Sequence, residues 1–264
     1  MNGGVRPPGT AGEEQVSRWV REMFSRIAPR YDLLNHLLSF QLDRAWRARA
    51  VRRLRARLSG PGLRIVDLCC GSGDLTLALA AAAHPAALVI GGDFARPMLA
   101  EARRKIGRRG AAVELIEADA LGLPFRDGSV DVVTIAFGLR NLADYGRGLA
   151  EMLRVLRPGG LALLLEFSKP PNPLFARLYG FYAGRILPAV GGWISGCREA
   201  YAYLPASVNR FPGAAELAEL MRRVGFAEVC FERLSGGIVA LHTGLKPRGP
   251  LPASTGRIIG AGNQ

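Results

Sequence analysis

The stretch Val66-Asp67-Leu68-Cys69-Cys70-Gly71-Ser72-Gly73-Asp74 runs from a short hydrophobic segment into a glycine-rich turn. Residues 64–68 have the length and composition of a buried strand, and residues 74–83 have the composition of a helix. Glycines in a turn between a strand and a helix let the backbone approach a ligand closely. In a doubly wound sheet this turn lies at the carboxyl edge, where ligands bind. The segment therefore predicts a ligand site in an α/β protein.

The same alternation of apolar runs and helical patterns continues along the chain. Strands alternating with helices favour a parallel sheet, because each crossover helix returns the chain to the same edge. We predict an α/β fold with a doubly wound, mostly parallel seven-stranded sheet. The predicted strands are 64–68, 87–91, 113–116, 130–135, 161–166, 227–233 and 237–244, and the helices between them are 74–83, 97–106, 145–156 and 214–224. Arg157-Pro158-Gly159-Gly160 is predicted to be a turn.

The regions on either side of the alternating pattern have a different composition. Residues 1–12 and 247–264 are rich in Gly and Pro and are predicted to be a disordered leader and a disordered tail around one domain, 13–246. Within that domain, residues 13–60 are predicted to be helical, and 169–212 to be an insert on the substrate side. Helix 42–58 has its apolar stripe at Leu42, Trp46, Ala50, Leu54 and Leu58, with seven arginines on the other faces.

Composition limits the class of protein. The chain has 264 residues, 49% hydrophobic residues and a net charge of +13, which excludes wholesale disorder and favours anionic partners. An Arg-rich proteome would also explain the charge, since the chain has only three lysines. No apolar run reaches the roughly 20 residues of a membrane helix, and no secretory signal is expected. Four cysteines without a CxxC motif and three histidines without zinc spacing predict reduced thiols, a cytoplasmic protein and no metal site.

Acidic residues recur where the predicted strands end. Asp93 follows the second strand, where a carboxylate can accept hydrogen bonds from both ribose hydroxyls. Asp119 and Ala120 follow the third strand, where they suit the amine and a ring nitrogen of adenine. Together with Gly71, Ser72, Gly73 and Asp67, these residues predict a site for a nucleoside-bearing cofactor.

The details of the turn favour one cofactor over another. A dinucleotide fingerprint requires a glycine at position 76, where this chain has Thr76, and Asp74 at the helix start would repel a pyrophosphate. The D-x-x-x-G-x-G pattern that starts at Asp67 is instead that of S-adenosylmethionine (SAM) methyltransferases. SAM carries no phosphate and a positive sulfonium, so a site with several carboxylates suits it.

Several longer motifs resemble one family, the ubiquinone/menaquinone biosynthesis C-methyltransferases of the class I SAM methyltransferases, over about residues 20–246. The motifs are Phe24-Ser25-Arg26-Ile27-Ala28-Pro29-Arg30-Tyr31-Asp32-Leu33-Leu34-Asn35, Gly92-Asp93-Phe94-Ala95-Arg96-Pro97-Met98-Leu99, Phe137-Gly138-Leu139-Arg140-Asn141, Leu165-Glu166-Phe167-Ser168-Lys169-Pro170 and Gly236-Gly237-Ile238-Val239-Ala240-Leu241-His242. The resemblance implies SAM contacts at Ser72, Asp93, Asp119 and Ala120. Ala136 stands where some members have a Ser counted as a further contact, so that contact is not expected. The Cys69-Cys70 pair favours the menaquinone branch.

The resemblance also implies methylation of a ring carbon of a reduced polyprenyl quinone, most simply demethylmenaquinol to menaquinol. Ionisation of the neighbouring hydroxyl activates that carbon, so the enzyme must stabilise a phenolate. Arg140 is the best candidate for this task and Asn141 for orienting the hydroxyl; the alternative for Arg140 is a salt-bridged arginine. Tyr31, Asp32, Asp144 and His242 are candidate proton acceptors or substrate contacts, and the alternative for His242 is a structural residue of the last strand.

Two segments suit a membrane lipid as substrate. Residues 174–193 are rich in aromatic side chains and predict a groove or lid for an isoprenoid tail, and the basic helix 42–58 is a candidate for contact with anionic headgroups at the inner face of the membrane. An ordinary packed helix and a solvated basic face are the alternatives. A homodimer is left open.

Other functions are weighed against this one. The same enzyme could methylate a methoxybenzoquinol in ubiquinone synthesis, both quinols, or an unrelated soluble small molecule. A nucleic-acid methyltransferase would need an (Asn/Asp)-Pro-Pro-(Tyr/Phe) element or a Pro-Cys nucleophile, and neither is present, so no nucleic acid is expected as partner. A SAM-binding accessory subunit would lack the polar residues around Arg140. A nicotinamide dehydrogenase is disfavoured by Thr76 and Asp74.

Overall fold

A computed structural model describes residues 12–186 and 198–249, together with Gly4, Val5, Pro7, Gly9 and Thr10. Seven strands form one sheet with the order β3-β2-β1-β4-β5-β7-β6. Strands β1 to β5 pair in parallel, and β7 runs antiparallel between β5 and β6. The α/β, mostly parallel, seven-stranded fold predicted from the sequence is thus confirmed.

The elements begin and end close to their predicted positions. The strands are β1 Arg64–Leu68, β2 Leu88–Asp93, β3 Glu114–Glu117, β4 Val130–Ala136, β5 Leu156–Phe167, β6 Ala227–Leu234 and β7 Val239–Leu245. The helices, numbered here in chain order, are α1 Glu13–Ile27, α2 Tyr31–Leu38, α3 Leu42–Leu58, α4 Asp74–Ala82, α5 Arg96–Arg109, α6 Tyr145–Val155, α7 Pro173–Phe181, α8 Arg198–Arg210 and α9 Ala214–Val224.

Strand β5 differs from its prediction, because residues 157–160 belong to it. Val130 pairs with Leu156 and Val132 pairs with Leu161, so the residues between them form a bulge that β4 does not match. Gly159 has a φ of +77° there, and its amide donates to Lys246 O at 2.8 Å. The Pro-Gly-Gly sequence does bend the chain, but pairing with the end of β7 keeps the bend inside the strand.

Helix α3 covers one face of the sheet with the predicted stripe, except at its first residue. Trp46, Ala50, Leu54 and Leu58 are buried with strand residues such as Ile65, whereas Leu42 is 41% exposed. The helix runs from the carboxyl ends of the strands towards their amino ends. Trp46 packs on Phe167 at the carboxyl end of β5, and Arg57 at the far end donates to Gly159 O.

The predicted leader and tail are only partly described. Val5, within the expected leader, is 2% exposed, and its amide donates to Leu142 O at 3.0 Å. It packs with Val16 and Val20 of α1, so at this residue the structure differs from the expected disorder. The tail beyond Gly249 and residues 187–197 of the insert lie outside the described residues. Within the described part, no helix combines the length and hydropathy needed to span a bilayer.

Candidate functional site

The glycine-rich turn links β1 to α4 at the carboxyl edge of the sheet. Gly71 and Gly73 have φ values of +55° and +85°, a region in which side chains with a Cβ are strained. Two non-glycine residues beside the turn share this conformation: Cys69 (φ +50°) and Phe137 (φ +56°). Backbone strain held by the surrounding structure is common at functional sites. Gly138 allows the two to approach, since a Cβ there would lie 2.4 Å from Cys69 Cβ.

Asp67 lies at the base of the turn and also lines a small polar cavity beside it. Its carboxylate accepts hydrogen bonds from Thr76 Oγ1 at 2.6 Å and from Thr134 Oγ1 at 2.7 Å. Burial raises the pKa of Asp67 to about 6. Thr76 stands where a dinucleotide fingerprint would have glycine, and its hydroxyl fixes the strand to the helix. This departure from the fingerprint therefore has a structural cause.

Asp93 and Asp119 lie at the ends of neighbouring strands and line one cavity, called here the sheet-edge cavity. Asp93 accepts from Gly71 N and from Ala95 N, both at 2.9 Å, and burial raises its pKa. A carboxylate has about four acceptor sites, so further bonds are open to it. The lining includes Tyr31, Phe24, Cys69, Gly71, Asp93, Phe94, Asp119, Ala120, Phe137 and Asn141.

Ser72 belongs to an ionic cluster between the turn and the N-terminal helices. Its hydroxyl donates to Asp32 of α2 and accepts from Lys105 Nζ at 3.0 Å. Lys105 also contacts Asp32 at 2.5 Å and Asp74 at 2.6 Å. The predicted cofactor residue Ser72 thus contacts Asp32 of α2 and Lys105 of α5. The sequence pattern did not indicate these contacts.

The cluster continues through Arg47 and His36 and contains a group with metal-ligating atoms. Arg47 Nη1 lies 2.5 Å from Asp43 Oδ2 and 3.6 Å from Asp74 Oδ2. His36, Asp43 and Asp74 offer ligand atoms within 4.8 Å of one another. Because Arg47 and Lys105 already provide positive charge to these carboxylates, ion pairs account for the group without a cation.

Arg140 is buried at the carboxyl edge between β4 and β5. Its Nη1 donates to Glu166 Oε1 at 2.9 Å and to Phe137 O, and its guanidinium lies over the Phe167 ring. Burial would lower the pKa of Arg140, but the Glu166 carboxylate raises it, and the net pKa is above its ordinary value. Nε of Arg140 is buried and has no hydrogen-bond partner among the described residues. Arg140 is therefore both a salt-bridged arginine and a permanent cation with a donor to spare.

Asn141 and Tyr203 complete the polar groups beside Arg140. Asn141 Nδ2 donates to Phe137 O at 3.3 Å, and its Oδ1 accepts from the Tyr203 hydroxyl at 3.1 Å. Burial raises the pKa of Tyr203 and the pKa of Tyr31. The positive charge of Arg140 offsets part of the rise in the pKa of Tyr31. Both phenols therefore stay protonated at neutral pH and can donate hydrogen bonds, which argues against Tyr31 as a proton acceptor.

Four cavities lie next to one another at this edge, and the residues that they share show which cavities are neighbours. Tyr31 and Phe137 line three of them: the sheet-edge cavity, a cavity lined by Arg140 and called here the Arg140 cavity, and a polar cavity beside the glycine-rich turn that is lined by Arg47 and Asp74. The Arg140 cavity in turn shares Trp46 and Phe167 with a large apolar groove. A ligand in the sheet-edge cavity can thus meet a second ligand whose polar part lies at Arg140 and whose apolar part extends along the groove.

The apolar groove is the largest of these spaces, at about 440 Å³. Helices α2, α3, α7 and α8 and the ends of β5 and β7 surround it. Its lining is mostly hydrophobic and aromatic and includes Phe40, Trp46, Phe167, Pro170, Ala176, Tyr179, Gly180, Tyr182, Leu204, Val208 and Ile238. The aromatic stretch from residue 174 does therefore form a groove, at least over its described residues.

Two residues predicted for the substrate site lie elsewhere. Asp144 caps α6, and its side chain accepts from Arg147 N at 2.9 Å. His242 is buried on β7, where Nε2 lies 2.8 Å from Ala214 O and the ring stacks on Phe231. Burial lowers the pKa of His242 to about 4, so it is neutral at pH 7. Neither lines any of the four cavities, and we correct both assignments to structural roles.

The structure also adds residues that the site prediction left out. Glu166 is 1% exposed and accepts from Arg140 N and Nη1 and from Phe167 N. A carboxylate that ends the apolar run of β5 was a readable signal, since a buried charge needs a partner. Tyr203 and Lys105 had no comparable signal, because each is one polar residue on a helix.

Comparison with known proteins agrees with this geometry. The profile of the ubiE/COQ5 methyltransferase family matches residues 10–246. A demethylmenaquinone methyltransferase from Thermus thermophilus is 53% identical over 85% of this chain and 100% of its own length. A ubiquinone/menaquinone biosynthesis C-methyltransferase from Geobacter sulfurreducens is 45% identical over 86% of this chain and 88% of its own.

Solved structures agree on the fold. A SAM-dependent methyltransferase from Thermotoga maritima superimposes with a TM-score of 0.60 at 21% identity, over 86% of this chain and 99% of that one. This likeness concerns the fold alone, whereas the sequence matches extend over the motifs around Arg140. The chain is a methyltransferase and belongs to the ubiE/COQ5 methyltransferase family.

Proposed function

We propose that this protein is a SAM-dependent C-methyltransferase that converts a reduced polyprenyl quinone, demethylmenaquinol, to menaquinol. The observation that carries the proposal is that the sheet-edge cavity, the Arg140 cavity and the apolar groove adjoin one another in that order through shared lining residues. A substrate with a polar ring and a long apolar tail fits this arrangement. The 53% identical relative named for the same reaction supports the choice of quinol.

The sheet-edge cavity suits SAM in its carboxylates and its aromatic lining. Asp93 would hold the ribose hydroxyls, and Asp119 and Ala120 would hold the adenine. Carboxylates and the faces of Phe137, Tyr31 and Phe94 favour a cation over a phosphate. When bound, SAM supplies an electrophilic methyl group on its sulfonium.

The chain's own residues prepare the ring carbon. Arg140 lines the cavity where a quinol hydroxyl would lie and brings a permanent positive charge to it. This charge lowers the pKa of the hydroxyl from about 10 and stabilises the phenolate, which pushes electron density onto the ring carbon. Glu166 fixes the guanidinium, and Asn141 and Tyr203 provide further polar contacts. Burial excludes water and strengthens these interactions.

A competition assay tests the proposal directly. Protein, SAM and detergent are mixed with reduced demethylmenaquinone and a reduced polyprenyl methoxybenzoquinone, and mass spectrometry identifies the methylated ring. We expect a methylated naphthoquinol. Methylation of both rings would mean one enzyme for two pathways, and methylation of the benzoquinol alone would move the protein to ubiquinone synthesis. SAM binding without methylation of either ring would overturn the quinol as substrate and favour a soluble substrate or an accessory role.

The role of the apolar groove gives a second prediction. Gly180 lines the groove on α7, and a Cβ added there would meet nothing within 4 Å. We expect Gly180→Leu to lower kcat/KM about tenfold for a long-tailed quinol, because the new side chain fills space that the tail would use. A tail-less quinol should be unaffected. Gly107→Leu is the matched control on α5, since its Cβ is equally free. Equal losses for both substrates would contradict the assignment.

We also propose that the groove opens towards a membrane surface. Large hydrophobic side chains that are exposed in the described structure all lie in 37–42 or 174–181: Leu37, Phe40, Leu42, Leu174, Leu178 and Phe181. Phe40 of the first segment is in ring contact with Tyr182, the residue that follows the second segment. Residues 167–186 contain no Asp or Glu, and Lys169, Arg177 and Arg185 are exposed among them. Apolar side chains among cations suit the interface of an anionic bilayer.

This orientation differs from contact through the basic helix as a whole, because most arginines of α3 come after Trp46, towards the amino ends of the strands.

We expect Leu174→Asp with Leu178→Asp to reduce co-sedimentation with anionic vesicles about tenfold. Ala56→Asp, at an exposed position near the far end of α3, should have little effect. A larger loss with Ala56→Asp would restore the basic helix as the contact.

A further inference from the structure

One charged side chain in the cavities has no role in the function proposed above. Arg47 of α3 lines the polar cavity beside the glycine-rich turn as well as the Arg140 cavity. Its side chain is only 12% exposed. Its ion pairs to Asp43 and Asp74 are both made by Nη1, whereas a guanidinium carries five N–H donors.

The charges around the polar cavity suit a zwitterion. The charged side chains that line it are Arg47, Asp67 and Asp74. The carboxylates exceed the arginine by one, which favours an added ammonium group. A buried arginine favours an added carboxylate, because its charge-assisted hydrogen bonds are strong where water is excluded.

The position of the polar cavity connects it to the cofactor. It shares Tyr31, Cys69 and Gly71 with the sheet-edge cavity, in which Asp93 and Asp119 are placed to hold an adenosine. The Arg140 cavity and the apolar groove, by contrast, are lined mainly by aromatic and aliphatic side chains. Of these spaces, the polar cavity is the one whose lining matches the amino-acid end of SAM.

We propose that Arg47 binds the α-carboxylate of SAM, an inference that rests on the proposed use of SAM. Arg47 is a positioning residue: it comes from the N-terminal helices, not from the sheet, and it fixes the amino-acid end so that the sulfonium faces the Arg140 cavity. The N-terminal helices are then part of the cofactor site. Ser72 adds a hydroxyl on the same side of the turn.

Binding calorimetry with two ligands tests this assignment. S-adenosylhomocysteine carries the α-carboxylate, and its decarboxylated analogue keeps the amine but lacks that group. We expect Arg47→Gln to weaken binding of S-adenosylhomocysteine at least about tenfold and to leave binding of the analogue within about twofold. Arg47→Lys should recover most of the loss. Arg49→Gln is the matched control on the same helix, since Arg49 pairs with the half-exposed Glu232 away from the cavities.

The outcomes separate the two proposals. Equal losses for both ligands, or no loss for either, would overturn the role of Arg47 while leaving the use of SAM intact. Failure of the unmodified protein to bind S-adenosylhomocysteine would overturn the proposed cofactor and this inference with it. Binding of the analogue by Arg47→Gln also shows that the variant is folded.

Discussion

We expect Arg140→Ala to reduce turnover at least about a hundredfold while binding of S-adenosylhomocysteine stays near normal. Arg140 is the buried cation that we propose to lie beside the quinol hydroxyl, and loss of one such group from an oxyanion site typically has an effect of this size. The side chain lines the Arg140 cavity but not the sheet-edge cavity, so the cofactor contacts are not removed. Single-turnover kinetics with saturating SAM would measure the change.

The salt bridge to Glu166 complicates this variant and requires a second one. Removing Arg140 leaves the Glu166 carboxylate buried without its cation, which costs about 3–5 kcal/mol of folding free energy. Glu166→Gln added to Arg140→Ala removes the unpaired charge and should recover most of the stability. Turnover should stay low in the double variant, because neutral glutamine supplies no positive charge. Recovery to within about tenfold of the unmodified protein would reduce Arg140 to a structural residue.

An exposed arginine serves as the control for these variants. Arg147 pairs with Glu13 at the surface, and both side chains are about half exposed. We expect Arg147→Ala to leave turnover and stability nearly unchanged, since surface ion pairs contribute little. A comparable loss in Arg147→Ala would show that turnover responds to net charge instead of to the buried cation.

Asp93→Asn is expected to weaken binding of S-adenosylhomocysteine at least about a hundredfold, or about 2.7 kcal/mol. Each Asp93 oxygen accepts a backbone amide, from Gly71 or from Ala95, and we propose that both also accept ribose hydroxyls. An asparagine must turn its NH2 towards one of those amides, which leaves two donors facing each other in a buried site. The variant therefore loses ribose contacts and also distorts the glycine-rich turn.

Calorimetry measures the affinity, and Asp127→Asn provides the control. Asp127 lies in the loop before β4, where its side chain is 79% exposed and pairs with Arg154 of α6. It lines none of the four cavities, so its change of charge should leave cofactor affinity unaltered. Normal affinity in Asp93→Asn would contradict the placement of the ribose at the end of β2.

The grouping of the residues proposed for the cofactor could be predicted because they follow a local rule. Asp67, Gly71, Asp93 and Asp119 stand at successive strand ends, and parallel strands bring such ends to one edge. Position along the chain is then enough to place them together. The rule did not reveal that Asp67 faces Thr76 and Thr134, because both faces of the strand are buried and no periodicity separates them.

The substrate side was predicted less completely. Arg140 and Asn141 were found through a motif, and the structure brings them to one place with Tyr31. Asp144 and His242 were candidate proton acceptors or substrate contacts, but one caps a helix and the other faces α9. Chain position does not specify which way either side chain points, because Asp144 lies outside the strands and both faces of β7 are buried, so no periodicity separates them.

The sequence alone determined the family, the α/β fold and the strand ends that line the sheet-edge cavity. These features depend on hydrophobic periodicity, glycine positions and short motifs, all of which act between residues close in the chain. The tertiary structure decided the pairing of Arg140 with Glu166, the ionic cluster of Asp32, Arg47 and Lys105, and the path into the apolar groove. These contacts join segments that lie far apart in the chain. They depend on how side chains pack in the folded protein, and no local sequence pattern predicts that packing.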